Sequence, residues 1–143
     1  MLVKLTPITV EKALAALPSE WPEERRGAFR NALLHPPKGP VDRIIGFGHA
    51  ETPIAGIAVL DTPGHTPGHI SLYHRASKTL IAGDALVLTG GRLQLPGAAL
   101  NSDDAQALRS LEQLEAMEID AVICYHGGCF RGDVRTQLRE LLA

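Results

Sequence analysis

The segment Thr62-Pro63-Gly64-His65-Thr66-Pro67-Gly68-His69 constrains this chain more than any other. Two prolines and two glycines in eight residues exclude a continuous helix or strand and leave a stiff, sharply bent turn. An apolar run, Ile57-Ala58-Val59-Leu60, precedes it, and a second strand-like run starts at Ile70. The plain reading is a tight hairpin carrying two surface histidines. A rigid turn is also what a metal site needs, because its ligands must be held near their final geometry before the ion arrives. Two histidines at this spacing favour the metal-site reading, with His65 and His69 as candidates.

Two other segments repeat the same pattern of strand, ligand-type residue and flexible backbone. Leu80-Ile81-Ala82-Gly83-Asp84 delivers a carboxylate at a strand end. Asp in that position is often only a turn-former or helix cap, so Asp84 gains weight from its company. Val122-Ile123-Cys124-Tyr125-His126 ends a buried strand in a histidine, followed by Gly127 and Gly128. Loops at one edge of a sheet can converge on one point. His65, Asp84 and His126 thus form a candidate ligand set of imidazoles and a carboxylate. Zinc suits it first, with iron or manganese as alternatives. Cys124, His126 and Cys129 offer a competing C-x-H-x-x-C zinc site, but a structural site wants four ligands and no second pair is evident. His35 in a proline-rich connector, His49 in a glycine-rich turn and His74 on a strand are read as having no role in a site. Trp21 and Tyr73 are read as packing residues. Arg92 and Arg131 lie near the expected site edges, within reach of an anionic substrate, but neither is assigned to the site.

The breaker cluster His35-Pro36-Pro37-Lys38-Gly39-Pro40 divides the chain. Before it, Thr6 or Thr9 is expected to cap a helix from Glu11 to Leu17, stopped by Pro18, and Pro22 to open a second helix reaching Leu34. After it, strands are expected at Ile54–Leu60, Ile70–His74, Thr79–Ala82 and Arg92–Leu95. Asn101 or Ser102 is expected to cap a helix whose core stripe is Ala105, Leu108, Leu111, Leu114 and Met117. A buried strand at Ala121–Cys124 and a helix from Asp133 to Leu142 close the chain. Strands followed by helix, strand and helix indicate a layered α/β or α+β domain. The expected division is a helical segment, 1–40, and a domain, 41–143.

The 143 residues suit one core, and an apolar fraction of 45% can build it. A net charge of −2, with the signs mixed along the chain, gives no support for a nucleic-acid partner. No apolar stretch is long enough to span a membrane, and the N-terminal residues, broken at Pro7, do not make a signal peptide. Two cysteines make no disulfide framework, so a reducing cytoplasm is expected.

The three motifs, in this order and rough spacing, resemble the metallo-β-lactamase superfamily from about Val41 to the end. The flavour is closest to the glyoxalase II-like and lactonase-like hydrolases, since the antibiotic-degrading enzymes usually lack the second histidine of the octapeptide. The resemblance implies that His65 binds a first metal, that Asp84 bridges two metals, and that His126 binds the second. His69 would stand behind them, orienting the turn or a neighbouring ligand. It further implies a small-molecule substrate: a metal-activated water attacking an ester, thioester, lactone or lactam.

The family's His-x-His-x-Asp-His motif does not occur in these residues: Pro36-Pro37-Lys38 follows His35, and Ala50-Glu51-Thr52 follows His49. The resemblance therefore covers the C-terminal half of an αββα sandwich, with residues 1–40 similar to pocket-shaping helices. The full two-metal site is incomplete, and the three surviving ligands belong to two different ions. Met1 fits an internal start, a misplaced gene boundary or a deliberately cut piece. Half a sandwich leaves one sheet face without a cover. The expected partner is a second copy, as a two-fold dimer, or a complementing N-terminal half. The alternative to a hydrolase is thus a non-catalytic or split-enzyme module.

Overall fold

The computed structural model describes residues 7–36, 39–40 and 55–143. The chain divides into two compact units, Met1–Ile44 and Ile45–Ala143.

The first unit holds helices α1 (Pro7–Ala15) and α2 (Glu23–Leu34). Thr9 lies inside α1 and does not cap it. Pro7 is the first helical residue, a position where its missing N–H costs nothing. Pro22 precedes α2 in an extended conformation, and Glu23 and Glu24 place negative charge in the first turn. Trp21 packs edge-on against Phe29, with the Arg25 guanidinium 3.9 Å above its ring.

The second unit is built on a five-stranded sheet of β1 (Ile57–Asp61), β2 (Ile70–His74), β3 (Thr79–Gly83), β6 (Ala121–Cys124) and β7 (Gly128–Arg131), in that spatial order. A separate hairpin pairs β4 (Val87–Thr89) with β5 (Arg92–Gln94). Helices α3 (Asp104–Glu115) and α4 (Val134–Leu142) complete the unit. Ile54 and His49 lie outside the described residues. β4 and β7 were not expected from sequence. The first is three residues long, and the second begins at a glycine that reads as turn.

All neighbouring strands are antiparallel except β3 and β6. A parallel pair needs a crossover, which α3 supplies. Consequently β1, β3 and β6 run in one direction, and their carboxyl ends share one edge of the sheet. Those ends are followed by His65, Asp84 and His126.

One sheet face carries Ala58, Leu60, Tyr73, Leu80, Ala82, Val122 and Cys124, packed with Leu111 and Leu114 of α3 and Val134 and Leu138 of α4. On β2 the core-facing residues are Ser71 and Tyr73. Their polar atoms are satisfied: Ser71 Oγ donates to Ala82 O, and Tyr73 OH to Glu118 O. Tyr73 is thus a packing residue, as read from the sequence. The other face carries a row in register across the sheet, Val59, Leu72, Ile81, Ile123 and Cys129.

Helix α3 buries Leu111 and Leu114 of the expected stripe, and Met117 beyond its end is half-buried against the core, but Ala105 and Leu108 are exposed and Ala107 and Ser110 are buried in their place. The helix is turned so that small residues meet the octapeptide, with Ser110 Oγ donating to Pro63 O at 2.6 Å. Its cap also differs from expectation: Asp103 accepts from Gln106 N–H at 2.9 Å. Asn101 and Ser102 serve the site instead. The cap expected for α4, Asp133, accepts from Thr136 N–H.

Candidate metal centre

Asp84 lies between the two candidate histidines. Its Oδ2 is 3.8 Å from His65 Nε2 and its Oδ1 is 3.5 Å from His126 Nε2. One carboxylate oxygen therefore faces each imidazole. Both gaps exceed a hydrogen bond. They suit an ion seated between: with metal–nitrogen and metal–oxygen bonds of about 2 Å, the donor-to-donor edge of a tetrahedron is roughly 3.4 Å. His65 and Asp84 are partly shielded, at 24% and 30% exposure, while His126 is 68% exposed and forms the open rim.

Each side chain is placed by the backbone beneath it. Tyr125 N–H donates to Gly83 O at 3.0 Å, which locks the end of β6 beside the end of β3. His126 O accepts from Leu88 N–H of β4. The following Gly127 has φ +95°, and a Cβ there would stand 1.9 Å from Leu88 O, so no other residue fits. The His65 loop is tied to the start of α3. His65 O accepts from Ser102 N–H and Ser102 Oγ, and Gly64 O accepts from Asp103 N–H. Buried Asn101 donates its amide hydrogens to Asp104 Oδ1 and Pro96 O, which turns its Oδ1 toward His65 Nδ1 at 3.4 Å. That arrangement leaves His65 Nε2 toward Asp84.

His69 is engaged differently. Its Nε2 accepts the Asp84 backbone N–H at 3.0 Å, and its Nδ1 faces Thr62 O and Thr62 Oγ1. Burial, then the nearby His65, holds its pKa below the ordinary imidazole value. With Nε2 already used by a peptide N–H, this ring stands behind Asp84.

Among the described residues, no group of three or more His, Cys, Asp or Glu side chains can hold one metal ion. His65, Asp84 and His126 instead offer two donor pairs, each with one imidazole nitrogen and one carboxylate oxygen. The Cys124–His126–Cys129 site is not formed. Cys124 lies opposite Gly128 and Cys129 opposite Ile123, so the two thiols point from opposite faces of the sheet. Burial, with Cys129 adding to it, pushes the Cys124 thiol up to about 11, which opposes a thiolate ligand. Arg92 is paired with Glu140, His74 bonds to Ser77, and His35 bonds to Asn31 within the first unit. Thr62, Asn101, Ser102 and Tyr125 belong to the site's surroundings and were not singled out from sequence. A small polar residue beside a turn carries no distinctive signal.

The model of the metallo-β-lactamase superfamily matches residues 1–126. The chain belongs to this superfamily. The match takes in the N-terminal helices as well as the three motifs. A probable metallo-hydrolase of Bacillus subtilis, YflN, is 35% identical over 92 residues, covering 56% of this chain and 35% of that protein. A hydroxyacylglutathione hydrolase of Cupriavidus taiwanensis is 40% identical over 81 residues, 53% of this chain and 28% of that one. The chain thus spans about a third of the curated relatives it matches. Among solved structures, the metallo-β-lactamase family protein TTHA1429 of Thermus thermophilus covers 91% of this chain with 41% of its own, at 29% identity and a TM-score of 0.58. TTHA1623, solved in a di-iron-bound form, covers 66% of this chain with 46% of its own, at 27% identity and a TM-score of 0.50.

Proposed function

We propose that this chain carries part of the dinuclear centre of a metal-dependent hydrolase. Asp84 bridges the two ions, His65 holds the first and His126 the second. The observation that carries this reading is the placement of one Asp84 oxygen toward each imidazole Nε2. Zinc is the first candidate, and the di-iron relative supports iron as the alternative. When bound, such a pair activates a water near neutral pH and polarises the substrate carbonyl. The chain's own residues orient the ligands: Asn101 and Ser102 fix the His65 loop, and His69 fixes the Asp84 peptide. The substrate is a small molecule with an ester, thioester, lactone or lactam bond. An acyl–glutathione linkage has the most support, from the relatives named hydroxyacylglutathione hydrolase.

The test is an equilibrium zinc titration of the metal-stripped chain beside His65→Ala, followed by hydrolysis of simple esters and thioesters. Tight binding to the wild type, lost at least tenfold in the variant, is expected. Binding that is unchanged in His65→Ala overturns the ligand assignment.

A second reading is favoured by the two donor pairs. Each ion meets two side chains where a catalytic zinc site normally has three. The missing donors come from a complementing segment or a second copy of the chain, and without them the module is non-catalytic. The apolar row on the second sheet face, with Ile70 and Ile123 over 40% exposed, supports an association there. The free thiols Cys124 and Cys129 accord with a reducing cytoplasm.

A further inference from the structure

Asp84 follows a register shift in β3: Ile81 pairs with Ile123 but Gly83 pairs with Cys124, so Ala82 is an extra residue. Such irregularities re-aim whatever follows them. The peptide groups on either side of Gly83 are joined by a chain of three side chains, two buried and one, His69, half-buried. Ser71 Oγ is 3.1 Å from Ala82 O, Thr62 Oγ1 is 2.9 Å from Ser71 Oγ, and His69 Nδ1 is 2.8 Å from Thr62 Oγ1. His69 Nε2 is 3.0 Å from the Asp84 nitrogen, which closes the path. Thr62 and Ser71 are 1% and 0% exposed, so no solvent substitutes for a missing link.

The two ends settle the direction of every bond. Ala82 O only accepts, so Ser71 donates to it and must accept from Thr62. Thr62 then accepts from His69, whose proton sits on Nδ1, where Thr62 O at 3.1 Å shares it. That leaves the Nε2 lone pair for Asp84 N–H, which only donates. Gly83 makes room for the ring: its φ is +59°, and a Cβ there would stand 2.9 Å from His69 Nε2.

We propose that Ser71, Thr62 and His69 are positioning residues, a one-directional hydrogen-bond chain that fixes the peptide of Asp84 and so aims its carboxylate between His65 and His126. The aim matters only through the reading of Asp84 as a bridging ligand, on which this inference rests. His69 itself is not a ligand, because its one free lone pair is spent on the chain. Fixing a ligand from behind is worth about 10–100-fold in metal affinity.

The experiment has two arms on the full chain. In the metal-free wild type, long-range 1H–15N spectra at alkaline pH read the tautomer of His69. The Nδ1–H form is expected, with slow exchange of the Asp84 amide proton. A His69 that is mainly Nε2–H overturns the chain. The second arm compares His69→Leu, which keeps bulk, with His69→Gln, which keeps an acceptor for Asp84 N–H. His69→Leu is expected to speed exchange of the Asp84 amide while leaving that of Leu80 unchanged, and to weaken zinc by about 10–100-fold. His69→Gln is expected to restore both toward wild type. Equal zinc affinity and equal Asp84 exchange in all three proteins overturn the proposal. If His69→Leu does not fold, the wild-type tautomer and the His69→Gln exchange rate decide it. If the wild type binds no zinc, the metal reading falls, while the tautomer and exchange data still decide the chain.

Discussion

Cys124 and Cys129 are identical in chemistry and are separated only by strand register. Cys124 is buried with the core, and Cys129 is exposed on the other face of the sheet. Thiol alkylation at mild pH is therefore expected to label Cys129 in minutes and to spare Cys124 until the chain unfolds, as peptide mapping would show. The same burial has a pH signature. Because the folded thiol of Cys124 is raised above its ordinary value, the unfolded chain sheds that proton first. The stabilisation is whole below pH 9.0 and is lost as pH rises toward about 11. Cys124→Ala is expected to flatten this part of a stability–pH curve measured by urea unfolding. At this scale, residues of unusual chemistry at strand ends were legible, so His65, Asp84 and His126 were singled out, and the fold brings the three side chains together. Their supports were not. Ser71, Thr62 and Asn101 look like ordinary polar residues until burial shows that each must be spending its hydrogen bonds on something.

Helix α3 shows what was and was not legible at the level of elements. Its existence and length follow from the leucine spacing. Its rotation does not, because the octapeptide demands small neighbours, Ala107 and Ser110, and that demand overrides the apolar count. Its cap was misplaced for a related reason. Three candidate caps stand in a row, Asn101, Ser102 and Asp103, and only the tertiary pull of His65 on the first two leaves the third for the helix. Asp103→Ala is accordingly expected to cost about 1 kcal/mol in urea unfolding followed by circular dichroism. Ser102→Ala leaves that capping bond in place. The strands were read well where apolar alternation is strong, as in β2, whose limits match the expectation. The short β4 and the glycine-led β7 depend on partners far away in sequence, which a local reading does not see.

For the whole molecule, the layered α/β architecture and the superfamily were both legible, since order and spacing of three motifs outlast much sequence change. What stays unwritten in one chain is its company. Val59 of the second sheet face is already buried, but Ile123 on the same face is 41% exposed and Leu72 and Ile81 are only half-buried, and an apolar face of a sheet seldom remains in water. Sedimentation equilibrium at micromolar concentration is expected to show a dimer, and Ile123→Lys is expected to shift it toward monomer. A wild-type chain that stays monomeric across that range would sink the self-association reading and leave the complementing segment.

The parallel pairing of β3 with β6 has a consequence in time. The antiparallel run β1, β2 and β3 joins near neighbours in sequence and can form early. Asp84 and His126 meet only after the long crossover through α3 has docked, a distant closure of the kind that slows folding. An ion bound between them, as proposed above, would have nothing to grip until that late step is done. Its effect would then fall on the lifetime of the folded chain, by delaying its opening, and hardly on the speed with which the chain first collapses.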